Sequence, residues 1–225
     1  MRKVCILQNS LSFGGTDTFV INMCEGLMKD GYSVTVVLSM DPKKPGPKLN
    51  DLKTTGVRII WTCSFKNIKE KLRHLLLLYK ELRKERYDIF QTNIDLFNGP
   101  NLFISWLAGV PVRECHSHNS KQEKELQVGR KLCVTLYQTL MRWLCWNFSN
   151  RRGGCSEIAM DFLFHQKWKS DKYSKVVHNG IDFSEFRRSC NFDEKKKSWD
   201  FGKNIISVQL EESHFKKIQF LLLMS

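Results

Sequence analysis

Residues 3–39 read KVCILQNSLSFGGTDTFVINMCEGLMKDGYSVTVVLS, and this stretch decides the fold. A short apolar run over residues 3–7 ends in Gln8-Asn9-Ser10. Gly14 and Gly15 follow, and Thr16-Asp17 opens a segment with Phe19, Val20, Met23, Leu27 and Met28 at helical spacing. Gly31 closes that segment, and the β-branched run over residues 33–39 comes next. The unit is strand, glycine loop, helix, strand. Two strands joined by a helix must lie parallel, with a right-handed crossover.

The alternation continues outward from this unit. Residues 41–47 hold three prolines and a glycine, which predicts a surface loop. A short helix over 49–55 and a strand over 57–61 follow. Ile68, Leu72, Leu75, Leu76, Tyr79 and Leu82 form one helical stripe amid Lys, Arg and Glu. Further strands are expected over 87–91, 110–115, 152–156 and 175–178. Helices are expected over 97–108 and 121–148, and from 156 to about 164. About seven strands alternating with helices predict an α/β protein, a doubly wound parallel sheet with helices on both faces. Residues 187–203 are charged and weakly periodic and read as a linker. Residues 204–208 read as the first strand of a second α/β domain.

The chain has 225 residues, of which 42% are hydrophobic, enough for a packed core. The excess of Lys and Arg gives a net charge of +13. Such an excess predicts an anionic partner, whether nucleic acid, an acidic membrane surface or a phosphorylated substrate, or else an unspecialised basic surface. None of the eight cysteines falls in a Cys-x-x-Cys pair, and several sit in apolar runs. A zinc ribbon or thioredoxin-type site is therefore not expected, and a reducing cytosolic compartment is the simplest reading. The first apolar run is too short for a secretory signal, and no stretch reaches the ~20 apolar residues of a membrane span. The expectation is a soluble or peripheral protein.

Residues 111–120 are the most informative for function. Pro-Val-Arg-Glu-Cys leads into His116-Ser117-His118-Asn119, placing polar side chains at the carboxyl end of an expected strand. Open α/β sheets bind ligands there. Histidines two apart on a strand share a face, so a metal pair is one reading. Contacts to a hydroxylated or phosphorylated ligand are another, and a solvated loop is a third. The loop of Ser12-Phe13-Gly14-Gly15-Thr16-Asp17 has the helix amino terminus that favours anions, and it equally suits a plain tight turn. It is neither a Walker A loop nor Gly-x-Gly-x-x-Gly. The segment 121–148 mixes Arg130, Lys131 and Arg142 with Leu, Trp and Phe. That composition suits an interfacial helix or a core helix with a basic rim. His178-Asn179-Gly180-Ile181-Asp182 ends a strand, and Asp182 suits a helix cap.

Taken in order, these segments resemble the amino-terminal half of the GT-B-fold, family-4 retaining glycosyltransferases, above all bacterial capsular and exopolysaccharide enzymes. The residues carrying the likeness are Gly14-Gly15-Thr16-Asp17-Thr18, His116-Ser117-His118-Asn119, Cys155-Ser156-Glu157 and Val176-Val177-His178-Asn179-Gly180-Ile181-Asp182. Tyr87-Asp88-Ile89-Phe90-Gln91 matches a family strand that usually ends in His. The resemblance implies a Rossmann-like, acceptor-side domain over residues 1–186, with 187–225 as linker and incomplete start of the donor domain. It implies hexosyl transfer from a nucleotide sugar to a carbohydrate or lipid-linked acceptor in surface polysaccharide synthesis, without metal or other cofactor and without a nucleic acid partner. By the same resemblance His116 would contact the donor sugar near the reacting centre. Gly14 and Gly15 would face the cleft, and Asp17 and Asn119 would contact substrate hydroxyls. An anionic membrane surface at the inner face of the plasma membrane would account for the basic charge.

Gln209-Leu210 and Ser213-His214-Phe215 depart from the Gly-Arg and Lys-Asn that the family uses to hold the donor diphosphate. The chain therefore reads as a half-enzyme, with a non-catalytic acceptor- or membrane-binding fragment as the alternative. A metal-dependent hydrolase built on His116 and His118 ranks last.

Overall fold

A computed structural model describes residues 1–119 and 131–180. Strands β1 (Lys3–Gln8), β2 (Ser33–Leu38), β3 (Arg58–Trp61), β4 (Ile89–Thr92), β5 (Val112–Ser117), β6 (Arg151–Gly154) and β7 (Ser174–Val176) form one sheet in the order β3-β2-β1-β4-β5-β6-β7. Every neighbouring pair is parallel. The helices are α1 (Gly15–Lys29), α2 (Leu49–Thr54), α3 (Ile68–Glu85), α4 (Asn98–Leu107), α5 (Lys131–Phe148) and α6 (Glu157–Phe164). The order reverses between β1 and β4, which defines a crevice at the carboxyl ends of those two strands. The doubly wound α/β sheet expected from the sequence is the one observed. The expectations for 181–186, for the linker over 187–203 and for the strand over 204–208 fall outside the described residues.

Alternation along β1 divides the core in two. Val4 and Ile6 meet Phe19, Val20, Met23, Cys24 and Leu27 of α1 on one face. Cys5 and Leu7 join Leu78 and Leu82 of α3, Leu102 of α4, Met141 and Cys145 of α5, and Met160 and Leu163 of α6 on the other. The α4–α5 crossing is close because residue 99 is glycine. A Cβ there would stand 2.8 Å from both the Leu144 Cβ and the Met141 carbonyl oxygen.

Two sequence expectations are corrected. The stripe of α3 is only partly its buried face: Ile68, Leu72 and Leu76 are exposed, whereas Leu82 of the stripe is buried together with His74 and Leu78. The reason is polar. His74 meets Thr62 Oγ1 at 2.7 Å and Asn101 Oδ1 at 3.1 Å, and the Phe65 ring packs edge-on at 4.9 Å. A histidine satisfied on both ring nitrogens turns its own side of the helix inward, and the leucines opposite are left outside. The second correction concerns β5, which runs through His116 and Ser117 rather than ending before them. The ladder to β6 continues there, with His116 beside Gly153 and Ser117 beside Gly154.

Burial lowers the His74 pKa from its ordinary 6.5 to about 4. Between these two values the unfolded chain takes up a proton that the folded chain refuses. Stability is therefore full above pH 6.5 and falls as the pH drops towards 4, by about 3 kcal/mol from this residue. Urea midpoints at pH 7 and pH 4.5 measure the loss. The substitution His74→Leu is expected to lower the midpoint at pH 7 and to flatten its dependence on pH.

Candidate functional site

The crevice is built first from the turn after β1. Asp17, in the first turn of α1, is buried at 2% exposure. Its Oδ1 accepts from Gln8 Nε2 at 2.6 Å. Its Oδ2 accepts from the Ser12 backbone N–H at 2.8 Å and from Ser12 Oγ at 2.6 Å. One carboxylate thus ties the end of β1, the glycine loop and the helix together. A negative charge there also suits the positive end of the α1 dipole. Gly14 is the N-cap and supplies no side-chain cap. The atom nearest to where a Gly15 Cβ would stand is the Asn179 side-chain amide nitrogen, 3.6 Å away. The glycine loop and the His-Asn-Gly turn, 164 residues apart by numbering (179 − 15), therefore meet.

The opposite wall is the turn after β4. Asp95 adopts a left-handed backbone with φ 44°. Its Oδ1 accepts from the backbone N–H groups of His118 and Asn119, each at 3.3 Å, and its Oδ2 accepts from the Asn119 side-chain amide. Burial raises the Asp95 carboxyl above the usual carboxylate range, and the bonds from His118 and Asn119 oppose that rise. Asp95 therefore sets the course of the His-Ser-His-Asn segment. Sequence reasoning had singled out Asn119 but missed Asp95, whose only local signal is its place just past an expected strand.

The histidines share one face, as their spacing implies, with ring centroids 4.7 Å apart and Phe19 packed against both. His118 Nε2 lies 3.0 Å from Asn93 Oδ1, while the Asn93 amide nitrogen donates to the Leu7 carbonyl at 3.4 Å. Since the Asn93 oxygen must accept, His118 carries its proton on Nε2. Burial, and then the neighbouring His116, lower the His118 pKa to about 2, so the ring is neutral across the physiological range. His116 is 1% exposed, within β5, with Nδ1 3.4 Å from the buried Glu114 carboxylate. Gln91 Nε2 donates to the same carboxylate oxygen at 3.3 Å. The imidazole fits because residue 153 is glycine: a Cβ there would stand 2.6 Å from His116 Nδ1.

Between the two walls lies a cavity of about 410 Å³. Gln8, Asn9, Ser10, Ser12, Gly14, Thr16 and Asp17 line one side, and Asn93, Ile94, Asp95, Leu96, Phe97 and Asn119 the other. Phe65, Lys71 and Tyr137 complete it. Of the site residues expected from sequence, Gly14, Asp17 and Asn119 line this cavity, Gly15 adjoins it in the chain, and His116 does not line it, being buried against Phe19. Among the described residues no group of three His, Cys, Asp or Glu side chains is placed to hold a metal ion. The arrangement offers hydroxyl-binding amides, one ammonium group at Lys71 and aromatic edges.

A parallel sheet with this strand order, a glycine loop opening α1 and a polar crevice at its switch point define a Rossmann-like domain of the GT-B class. The chain belongs to Glycosyltransferase Family 4, whose model matches residues 13–185. It is similar to EpsF of Bacillus subtilis (strain 168), described as a glycosyltransferase. The two are 24% identical over 191 residues, covering 82% of this chain and 47% of EpsF. Among solved structures, Anabaena Alr3699/HepE, determined with UDP and glucose, superposes with a TM-score of 0.62 at 15% identity, covering 88% of this chain and 50% of that one. Sucrose-phosphate synthase from Thermosynechococcus elongatus gives 0.60 at 12% identity, covering 88% and 53%. The chain thus spans about half the length of these three proteins.

Replacing Asp17 with Ala leaves the buried Gln8 amide without its acceptor and frees the Ser12 loop from its tie to the helix. Asp17→Ala is expected to lower stability by about 2–4 kcal/mol, measured by urea denaturation. Nitrogen-15 NMR at pH 5 should show His118 as the neutral Nε2–H tautomer.

Proposed function

We propose that residues 1–179 form the acceptor-side domain of a glycosyltransferase that moves a hexosyl group from a nucleotide sugar to a carbohydrate or lipid-linked acceptor in surface polysaccharide synthesis. The observation that carries this reading is the crevice of about 410 Å³ at the carboxyl ends of β1 and β4. Its size lies within the ~300–1,000 Å³ range of small-molecule sites. Its lining supplies what a sugar phosphate needs: Asn93 and Asn119 for hydroxyls, Lys71 for an anionic group, and the Phe65 and Phe97 rings for an apolar ring face. EpsF is described as a glycosyltransferase, and HepE was solved with UDP and glucose. Both support a nucleotide-sugar donor here.

Gly14 and Gly15 leave room for the ligand to approach the uncapped amino terminus of α1, where backbone N–H groups favour an anion. Asp17 acts by holding that loop. Asn119, placed by Asp95, faces the cavity and contacts hydroxyls. His116 is buried and serves the donor-sugar side indirectly, by supporting the strand end that carries His118 and Asn119. Its ring packs on the ring of His118, which stands one residue past the end of β5. The reaction needs no metal and no further cofactor in this reading. Nucleic acid is not a partner.

The exposed stripe of Leu132, Leu136 and Leu140 on α5 supports a second part of the proposal, a peripheral position on an anionic membrane surface at its cytoplasmic side. Among the described residues no helix is long and apolar enough to cross a membrane.

Isothermal titration of the full chain with a short-chain prenyl diphosphate sugar tests the first part. Binding is expected, and Lys71→Ala and Asn119→Ala should each weaken it about tenfold, equivalent to ~1.4 kcal/mol. Absence of binding at millimolar ligand would remove the acceptor assignment. Turnover of UDP-glucose by the same preparation separates an enzyme from a fragment that only binds. For the membrane, flotation with vesicles containing anionic phospholipid should carry the protein upward, and Leu136→Glu should abolish this. Equal flotation of that variant would refute the role of α5.

A further inference from the structure

A second groove, of about 180 Å³, lies between the carboxyl-terminal half of α5 and the end of α6. Arg152, the second residue of β6, donates to the Trp146 carbonyl at 2.6 Å, which puts the groove at the amino-terminal end of the strands. It is thus at the far end of the sheet from the crevice.

Trp143 and Trp146 are three residues apart and share one side of α5. The Arg152 guanidinium already stacks on the Trp146 ring at 4.1 Å, whereas Trp143 is 55% exposed. Arg142 is held in place because its Nε donates to the Phe162 carbonyl at 2.8 Å. Lys167 approaches from the turn after α6, with its ammonium 5.9 Å from the Trp146 ring. Among the described residues neither Arg142 nor Lys167 pairs with a carboxylate. The nearby Asp161 accepts from Trp168 Nε1 at 2.7 Å.

His165 joins these two groups at the position where helices favour glycine. Its φ of 51° and ψ of −159° fall in a region that is nearly glycine-only, and non-glycine residues held there tend to mark functional sites. Burial, and then the charges of Arg142 and Lys167, push the His165 pKa below its ordinary value, as a positive potential in the groove requires.

We infer that this groove binds an anionic sugar unit. The apolar C–H face of a pyranose stacks on the electron-rich face of the Trp143 indole. Its carboxylate or phosphate substituent is held by Arg142 and Lys167 through charge-assisted hydrogen bonds. The space suits one ring, being smaller than the ~300 Å³ of drug-sized sites. The inference does not rest on the transferase reading, because neither the crevice nor its residues take part.

Titration of the full chain, followed by tryptophan fluorescence and by NMR, tests it with four probes. A hyaluronan tetrasaccharide supplies a uronate and glucose 6-phosphate a phosphosugar. Cellotetraose is the neutral control and inorganic phosphate the sugar-free one. At least one of the two anionic sugars should bind about tenfold more tightly than both controls. Which of them binds identifies the substituent. Trp143→Ala and Lys167→Glu should each weaken that binding about tenfold. His165→Gly should raise the melting temperature while weakening binding. Equal affinity for cellotetraose or phosphate, no binding of either anionic sugar at 10 mM (about 2.7 kcal/mol from the molar standard state), or unchanged affinity in the Lys167→Glu variant would overturn the inference. If Trp143→Ala fails to fold, the surface charge reversal at Lys167 decides alone.

Discussion

The Asp17 carboxylate is the point on which the upper end of the sheet depends. A buried acid is unfavourable unless its oxygens are satisfied, and Asp17 is satisfied only by groups from two other segments, Gln8 at the end of β1 and Ser12 in the loop. The chain must therefore leave the strand, turn and enter α1 along one path. That path leaves Gly14 without a side-chain cap and keeps Gly15 beside Asn179. It also fixes the angle at which Phe19, half a turn further on, presses against His116 and His118. The facing wall repeats the device with Asp95. Both acids serve as staples for the loops that line the crevice.

The formal charge of the chain overstates what its surface can offer. Arg113 donates to the Phe148 and Val110 carbonyls, each at 2.7 Å. Arg152 donates to Trp146 and Ser149 carbonyls and to Asp171. These two guanidiniums satisfy the open carbonyls at the carboxyl end of α5 and complement its dipole. They are structural cations. Lys71, by contrast, lines the crevice, and Arg142 and Lys167 line the lower groove.

The parallel architecture was legible because β-branched runs and helical stripes alternate at lengths that leave few other topologies. Gly14, Asp17 and Asn119 were legible because glycine and polar residues cluster where such strands end. The inner face of α3 was not, because hydrophobic spacing pointed to leucines while a hydrogen-bonded His74 took the core position. The end of β5 was misplaced for a similar reason. His116 and Ser117 are polar, yet their backbone continues the ladder and their side chains find partners inside. Asp95 was hidden because its role rests on a φ of 44° and on partners 23 and 24 residues away. Periodicity reports neither.

The space between β5 and β6 has a consequence for how such a sequence can drift. Any side chain at position 153 would occupy the place of the His116 ring, and Glu114 Oε1 lies only 3.2 Å from where its Cβ would be. The two positions are therefore not free to change in either order. A lineage that first shrinks the residue at 116 opens room for a later side chain at 153. One that first gains the side chain at 153 must pass through an overcrowded intermediate. The glycine records the ring beside it, and the history of one position constrains the future of the other.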